Sequence, residues 1–287
     1  MDKYYRKVPK DQLDQLLRFR QDHPLKTASL NGIPWEYLTS GDPSMQPLLL
    51  MPGALSTAES SWRTFHLLEQ LGRYRLICPN YPPEIDTMSA LADGLMQILS
   101  LEGVNDAFVV GGSYGGMLAQ VFTHRHSATV SRLVLSHTYP PTPSRAQSVQ
   151  PALRLFKVLP MFLVKKMLRD RMTGILPSRP SPELQLVAAQ VHETVDTRLT
   201  RQATLSTFLR MMDFDQHAFA PSDLAGWSGR TLIMLAEDDP TTPEPLRKTL
   251  VGLYPGASLH LFKGSGHATS ILESDEYIQV MQDFLLQ

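Results

Sequence analysis

The chain has 287 residues, a hydrophobic share of 43% and a formal net charge of −1 at pH 7. This length can bury one large core plus an inserted segment, and no repeat or low-complexity tract is present. The near-neutral charge lacks the basic footprint of a nucleic-acid-binding protein. Residues 1–7 lack the apolar core of a secretory signal, and no run of about 18 apolar residues could span a bilayer, so we expect a cytoplasmic protein.

The first predicted elements form an N-terminal helix and the edge of a sheet. Residues 9–23 carry leucines at helical spacing among charges, which predicts an amphipathic helix outside the sheet, and we assign residues 1–26 to this segment. Residues 27–39 alternate around Asn31-Gly32, a strong hairpin signal that predicts the first two strands. The apolar run at residues 48–51 predicts a further strand, and residues 87–101 have the spacing of a helix.

Residues 107–119 are an apolar strand that runs through Gly111-Gly112-Ser113-Tyr114-Gly115 into a helix. A G-x-S-x-G pattern in this setting predicts a nucleophile elbow, a turn so tight that residues two before and two after the serine must lack side chains. The Ser113 hydroxyl would stand exposed above the sheet. The Tyr114 amide, at the start of the helix, would point towards an oxyanion formed there.

A serine hydroxyl is a poor nucleophile at neutral pH, so the site also needs a base and a group that orients the base. The predicted strand at residues 231–235 leads into three successive carboxylates. We choose Asp239 as the orienting acid because it stands three residues past the strand end, immediately before a proline. Glu237 and Asp238 remain the alternatives.

The candidate base follows the next predicted strand, residues 258–262. The segment Gly264-Ser265-Gly266 permits a tight loop at this strand end and distinguishes His267 among the nine histidines. His267 would take the proton from Ser113, while Asp239 holds the imidazole tautomer. The order serine, aspartate, histidine along the chain is that of the α/β-hydrolase arrangement.

The fourth component is a second amide donor for the oxyanion. The strand at residues 48–51 ends in Pro52-Gly53-Ala54-Leu55-Ser56, where glycine lets the backbone turn back. We expect the Ala54 amide to face Ser113, with the Leu55 amide as the alternative.

Strands and helices alternate as far as residues 130–136, which implies right-handed crossovers and a mainly parallel sheet. The alternation then stops, since residues 141–224 are helical and interrupted by prolines. We interpret this stretch as a helical lid inserted after the sixth strand. Residues 27–140 and 225–287 would form the core.

The lid would cover the mouth above Ser113 and so shape substrate choice. Most of its large apolar side chains should pack within the lid, and the rest would form an adaptable apolar pocket wall. The candidate pocket residues are Leu55, Phe156, Met161 and Phe162. Basic residues stand beside the apolar ones between positions 154 and 171; a solvated lid face is the main interpretation and a membrane-surface helix the alternative. We expect neither a metal nor another cofactor, because His124-Arg125-His126 has no accompanying carboxylate cluster.

From about Leu30 onwards the chain resembles lid-bearing proteins of the α/β-hydrolase fold superfamily, and within it is similar to the maspardin group. The segments shared with that group are Pro52-Gly53, Cys78-Pro79-Asn80-Tyr81-Pro82, residues 159–166 and Leu253-Tyr254-Pro255. The resemblance implies a mainly parallel eight-stranded sheet flanked by helices. Two departures are visible: most hydrolases of this fold have His-Gly in place of Pro52-Gly53, and maspardin itself is degraded at the acid and histidine positions, which this chain retains as Asp239 and His267.

These patterns together predict a serine hydrolase that cleaves carboxylic ester or related acyl bonds of a hydrophobic small molecule through an acyl-enzyme. A proline-iminopeptidase-like enzyme is an alternative suggested by Gly112-Ser113-Tyr114-Gly115-Gly116, although the His-Gly-Gly-Pro-type loop of those enzymes is missing. A carbon–carbon hydrolase could use the same triad. A non-catalytic interaction protein, as the maspardin resemblance implies, is the alternative from another class.

Overall fold

The computed structural model describes residues 2–287, which form a single mixed sheet covered by helices on both faces. The eight strands in these residues are β1 (Lys26–Leu30), β2 (Ile33–Ser40), β3 (Gln46–Met51), β4 (Tyr74–Pro79), β5 (Ala107–Gly112), β6 (Val130–Ser136), β7 (Arg230–Ala236) and β8 (Ser258–Phe262). Their order across the sheet is β1-β2-β4-β3-β5-β6-β7-β8. Only β2 runs antiparallel to its neighbours, β1 and β4, and the other pairings are parallel. The predicted fold class is confirmed.

The helices complete the layers around the sheet. They are α1 (Asp2–Tyr5), α2 (Lys10–Asp22), α3 (Trp62–Gln70), α4 (Met88–Leu101), α5 (Tyr114–Arg125), α6 (Pro143–Val158), α7 (Met161–Gly174), α8 (Pro182–Thr197), α9 (Arg201–Phe214), α10 (Glu244–Leu253), α11 (Thr269–Leu272) and α12 (Ser274–Leu285). Short 3-10 turns span Ala58–Ser61, Ser127–Thr129, Pro221–Leu224 and Gly266–Ala268. No helix in the described part of the chain is both long enough and apolar enough to cross a membrane.

Strand β3 shows how the sheet separates two apolar layers. Leu49 and Met51 pack into the layer that contains α4 and α5, whereas Leu48 and Leu50 pack into the layer that contains α3 and α12. Successive side chains of a strand point to opposite faces, so a continuous apolar run is what a strand buried on both sides requires.

Local sequence signals set two of the element boundaries, the β1–β2 hairpin and the start of α4. Asn31 (φ 52°) and Gly32 (φ 78°) both adopt the left-handed conformation that the two-residue hairpin between β1 and β2 needs. At α4, the Thr87 hydroxyl accepts a hydrogen bond from the Ala90 amide and caps the helix.

In the sequence, helices α6 to α9 follow β6 and precede β7. They have an apolar cluster of their own, which includes Leu153, Phe156, Val164, Leu168 and Phe208. Helix α2 packs against α3 of the core and against α8 of this inserted segment. The Arg20 guanidinium forms ion pairs with Glu59 and Glu193, each at 2.5 Å. The N-terminal helices therefore link the inserted segment to the core.

Candidate active site

Ser113 lies in a strained turn between β5 and α5. Its φ is 53°, a left-handed value that is unfavourable for a residue with a side chain, and its amide donates to the Ser136 carbonyl at 2.8 Å. A Cβ on Gly111 would collide with the Gly115 carbonyl, and a Cβ on Gly115 with the Met51 carbonyl. The elbow thus has the geometry that its glycines predict.

The acid and the histidine are brought together at the ends of neighbouring strands β7 and β8. Asp239 is 3% exposed, whereas Glu237 and Asp238 are exposed. The His267 Nδ1 lies 2.8 Å from the Asp239 Oδ2. A carboxylate only accepts hydrogen bonds, so this contact puts the proton on Nδ1 and leaves Nε2 able to act as a base.

Thr241 contacts both Asp239 and His267, although it is not among the site residues predicted from the sequence. Its amide and hydroxyl donate to the Asp239 Oδ1 at 2.8 and 2.7 Å, and its hydroxyl oxygen lies 2.9 Å from the His267 Nδ1. An aspartate that accepts from the amide two residues on forms an Asx turn, which an Asp-Pro-Thr segment could have indicated. Burial alone would raise the pKa of Asp239, but the hydrogen bonds from His267 and Thr241 lower it to about 2.

Ser113 and His267 line one cavity of about 250 Å³. Helix α8 supplies much of its wall, and α7 contributes Met172. The aliphatic lining residues are Leu50, Met51, Leu55, Val110, Met172, Leu186, Val187, Val191 and Ile271. Among the described lining residues there is no Asp or Glu, and Arg63 is the only Lys or Arg.

Three of the four predicted pocket residues lie elsewhere, and only Leu55 is in the cavity wall. Phe156 is buried among the inserted helices, with its ring centroid 5.3 Å from that of Phe208, and Met161 packs on the same cluster. Phe162 points outwards and is 69% exposed. These three residues thus lie away from this cavity, because α6 and α7 carry apolar residues on several faces and periodicity alone does not identify the face above Ser113.

The loop after β3 turns sharply beside Ser113. Leu55 has a φ of 56°, and both Gly53 and Leu55 line the cavity on either side of Ala54. The Tyr81 hydroxyl donates to the Pro52 carbonyl at 3.0 Å and so holds the start of this loop. Tyr114 opens α5, and amides in a first helical turn have no acceptor within the helix. The assignment of oxyanion donors remains a prediction.

A second buried histidine, His137, also lines the cavity and was missed from the sequence. Its Nδ1 lies 2.8 Å from the Ser136 hydroxyl, and its Nε2 lies 2.8 Å from the Thr269 hydroxyl. Burial, together with the nearby His267 ring, lowers the pKa of His137 to about 4, so it is neutral at pH 7. A histidine directly after β6, next to the serine strand, is a signal that could have found it.

Known proteins that are similar in sequence to this chain include several hydrolases. The model of the alpha/beta hydrolase family matches residues 48–280, a span that contains Ser113, Asp239 and His267. A Serratia proteamaculans protein that bears the name of a carbamate hydrolase, RutD, is 23% identical over 261 residues, covering 86% of this chain and 93% of the relative. The 2-hydroxymuconate semialdehyde hydrolase of Pseudomonas putida is 26% identical over 200 residues, 66% of each chain.

Among solved structures, a hydrolase from Pseudomonas aeruginosa PA01 superposes with a TM-score of 0.76 at 18% identity, covering 91% of this chain and 98% of that one. This likeness agrees with the sheet order and the helical layers described above. The family model spans well over half of the sequence and includes most of β3 and all of the strands from β4 to β8. The chain therefore belongs to the alpha/beta hydrolase family and is an enzyme, a hydrolase.

Proposed function

We propose that this hydrolase cleaves carboxylic esters or closely related acyl bonds, with Ser113 as the nucleophile. One observation carries the proposal: a strained serine and a histidine whose Nδ1 contacts a buried carboxylate line the same cavity. That combination supplies a nucleophile, a base and an orienting acid. The name of the Serratia relative is in keeping with hydrolysis of an acyl bond.

The proposed mechanism has two steps. The His267 Nε2 removes the proton from the Ser113 hydroxyl as its oxygen attacks the substrate carbonyl carbon, and the Ala54 and Tyr114 amides donate to the oxyanion. The intermediate collapses, the leaving alkoxide takes the proton from His267, and an acyl-enzyme remains. His267 then deprotonates a water molecule as its oxygen attacks the acyl carbon, and it returns that proton to the Ser113 oxygen as the carboxylic acid leaves.

The cavity supports a compact, apolar acyl group. A volume of about 250 Å³ holds roughly eight non-hydrogen atoms when each takes up the ~30 Å³ of a water molecule. The absence of a carboxylate among the described lining residues argues against an iminopeptidase, because the cationic amine of its substrate would have no partner.

A carbon–carbon hydrolase with the same triad is the second candidate. The Pseudomonas putida relative is named for 2-hydroxymuconate semialdehyde, which carries a carboxylate. Arg63 lines the cavity and could pair with such a group. The similarity to the maspardin group remains a prediction from the sequence.

Hydrolysis of p-nitrophenyl esters of increasing acyl length tests the proposal. We expect turnover of acetyl to butyryl esters, a fall for acyl chains longer than about eight atoms because they exceed the cavity, and loss of turnover in Ser113→Ala. Ser148→Ala, at an exposed lid serine, is the matched control and should retain wild-type rates. If 2-hydroxymuconate semialdehyde were cleaved and every ester left intact, the second candidate would replace the first.

A further inference from the structure

The outer face of the α6–α7 hairpin carries a concentrated group of exposed apolar side chains. We call it the hairpin patch and define it as Leu155, Val158, Phe162, Leu163 and Met167. Val158 is 78% exposed and Phe162 is 69% exposed. Of the ten large apolar side chains found exposed in the described part of the chain, these five fall within 13 consecutive positions. Scattered exposed apolar residues are ordinary, but a cluster of this kind indicates a surface that is covered in use.

The patch is not a by-product of lid packing, because a separate set of residues does that packing. Leu153 and Phe156 of α6, and Val164 and Leu168 of α7, are buried in the lid cluster. The patch residues lie on other faces of the same helices. An amphipathic helix needs one apolar face to pack on its own protein. The hairpin has a second apolar face, and because its side chains are exposed, nothing in the described chain covers it.

The hairpin is also the basic region of the molecule. Residues 143–174 contain seven Lys or Arg and one Asp, a net charge of +6, whereas the whole chain has −1. The seven are Arg145, Arg154, Lys157, Lys165, Lys166, Arg169 and Arg171. Of these, Arg154 and Lys157 are exposed beside the patch and form no ion pair among the described residues.

We propose that the α6–α7 hairpin docks on an anionic phospholipid surface, with Val158 and Phe162 inserted among the lipids and Arg154 and Lys157 against the headgroups. Large apolar side chains interleaved with Lys and Arg on an exposed helical face are what an interfacial membrane segment requires. Such docking would be peripheral, since no described helix is suited to span a bilayer. It is independent of the chemistry proposed at Ser113.

Two other occupants fit the patch less well. A second copy of the chain related by a twofold axis would bring the exposed Arg154 and Lys157 of the two copies close together, which is repulsive. A partner protein would need a fixed surface that matches the hairpin in shape, and protein interfaces are depleted in Lys, of which residues 143–174 contain three. A fluid anionic surface needs no fixed shape complementarity.

Docking would bring the membrane close to the catalytic cavity. Helix α7 carries Phe162 near its start and Met172, which lines the cavity, near its end. Ten residues of helix correspond to about 15 Å. A bilayer that contacts the hairpin tip would therefore lie within about 15 Å, measured along α7, of the cavity wall.

Co-sedimentation of the full chain with vesicles tests the inference. We expect binding to phosphatidylcholine vesicles that contain phosphatidylserine, weak binding to phosphatidylcholine alone, and a decline as salt is raised. Val158→Ser with Phe162→Ser should lower partitioning on the order of tenfold or more, because the inserted apolar area is removed. Arg154→Glu with Lys157→Glu should abolish the preference for the anionic vesicles.

The matched control is Leu101→Ser with Leu286→Ser, two leucines that are 59% and 53% exposed on the core. It should bind as the wild type does, and thermal melting checks that all variants are folded. The inference is overturned if the folded wild type binds neither vesicle at low salt, or if the Val158 and Phe162 pair binds unchanged. The inference is also overturned if the wild type does not bind vesicles but forms concentration-dependent dimers that Val158→Ser with Phe162→Ser abolishes. That result would assign the patch to a second copy of the chain.

Discussion

At the scale of single residues, the contacts of Thr241 define how the imidazole is held. Because the Thr241 hydroxyl donates to Asp239, its oxygen can only accept from the His267 Nδ1. The Nδ1 proton is therefore shared between the Asp239 carboxylate and the Thr241 oxygen. In the proposed mechanism Thr241 is a positioning residue, since it would act on His267 and not on the substrate.

Substitutions of Asp239 and of Thr241 should lower turnover by different amounts. Asp239→Asn should lower kcat by about 10³- to 10⁴-fold, because an amide can stabilise the wrong tautomer of His267. Thr241→Val should lower kcat roughly tenfold with little change in KM, since geometry is loosened and substrate contacts stay. Steady-state kinetics with a short-chain ester measure both. Thr249→Val, on the surface of α10, is the control, and a Thr241→Val enzyme indistinguishable from it would contradict the assigned role.

His137 should make stability depend on pH. Its ordinary pKa is 6.5 and burial lowers it to about 4, so between these values the unfolded chain binds a proton that the folded chain does not. The free energy of unfolding therefore falls as the pH drops from 6.5 to 4, by about 3 kcal/mol in all and about 2 kcal/mol by pH 5.

Urea unfolding at pH 7 and pH 5 checks this expectation. His137→Gln can keep hydrogen bonds to Ser136 and Thr269 but does not titrate. The difference in the free energy of unfolding between wild type and this variant should therefore be about 2 kcal/mol smaller at pH 5 than at pH 7. His192→Gln, at an exposed position on α8, should keep the wild-type dependence. An equal difference at both pH values for His137→Gln would show that this histidine does not resist protonation.

At the scale of elements, α8 is the inserted helix that contributes most to the cavity wall, and it is held from outside by the N-terminal helices. Glu193 of α8 accepts from the Tyr5 hydroxyl at 2.6 Å and pairs with Arg20. On the inner side, the Trp62 indole donates to the Gln190 side-chain oxygen at 3.1 Å. The position of α8 is thus fixed by polar contacts on both sides.

Removing the charge of Glu193 should loosen α8. Glu193→Gln should lower the free energy of unfolding by about 1 kcal/mol, because the pair with Arg20 is only partly buried. We also expect KM for short esters to rise while kcat changes little, since the wall moves and the triad does not. Thermal melting and kinetics measure the two effects. Glu244 is an exposed i,i+4 partner of Lys248, and Glu244→Gln should change neither the free energy of unfolding nor KM. An equal loss of stability in Glu244→Gln would mean that the ion pair of Glu193 with Arg20 contributes no more than an exposed pair.

Sequence patterns identified elements well where a local constraint acts. The hairpin at Asn31-Gly32 and the elbow around Ser113 depend on backbone conformations that few residues permit, so their sequences show them. Sequence patterns do not locate the cavity wall, because the inserted helices carry apolar side chains on several faces and do not reveal which face meets the core. Thr241 is placed beside Asp239 by a local Asx turn, whereas His137 is brought to the site by tertiary structure, which only a consideration of strand ends could have anticipated.

At the scale of the whole molecule, strand order explains why these residues meet. Strands β5, β6, β7 and β8 are adjacent and parallel, so their carboxyl ends lie side by side at one edge of the sheet. Each end is followed by one polar group of the site, in the order Ser113, His137, Asp239 and His267. Distant positions in the chain thus converge through simple alternation of strand and helix.

The most direct test of the proposed nucleophile is the intact mass of the protein after treatment with a fluorophosphonate probe. An activated serine predicts a single adduct on wild type and on Ser148→Ala, and none on Ser113→Ala, without any knowledge of the substrate. No adduct on the folded wild type, or an equal adduct on Ser113→Ala, would contradict the assignment of Ser113 as the catalytic nucleophile.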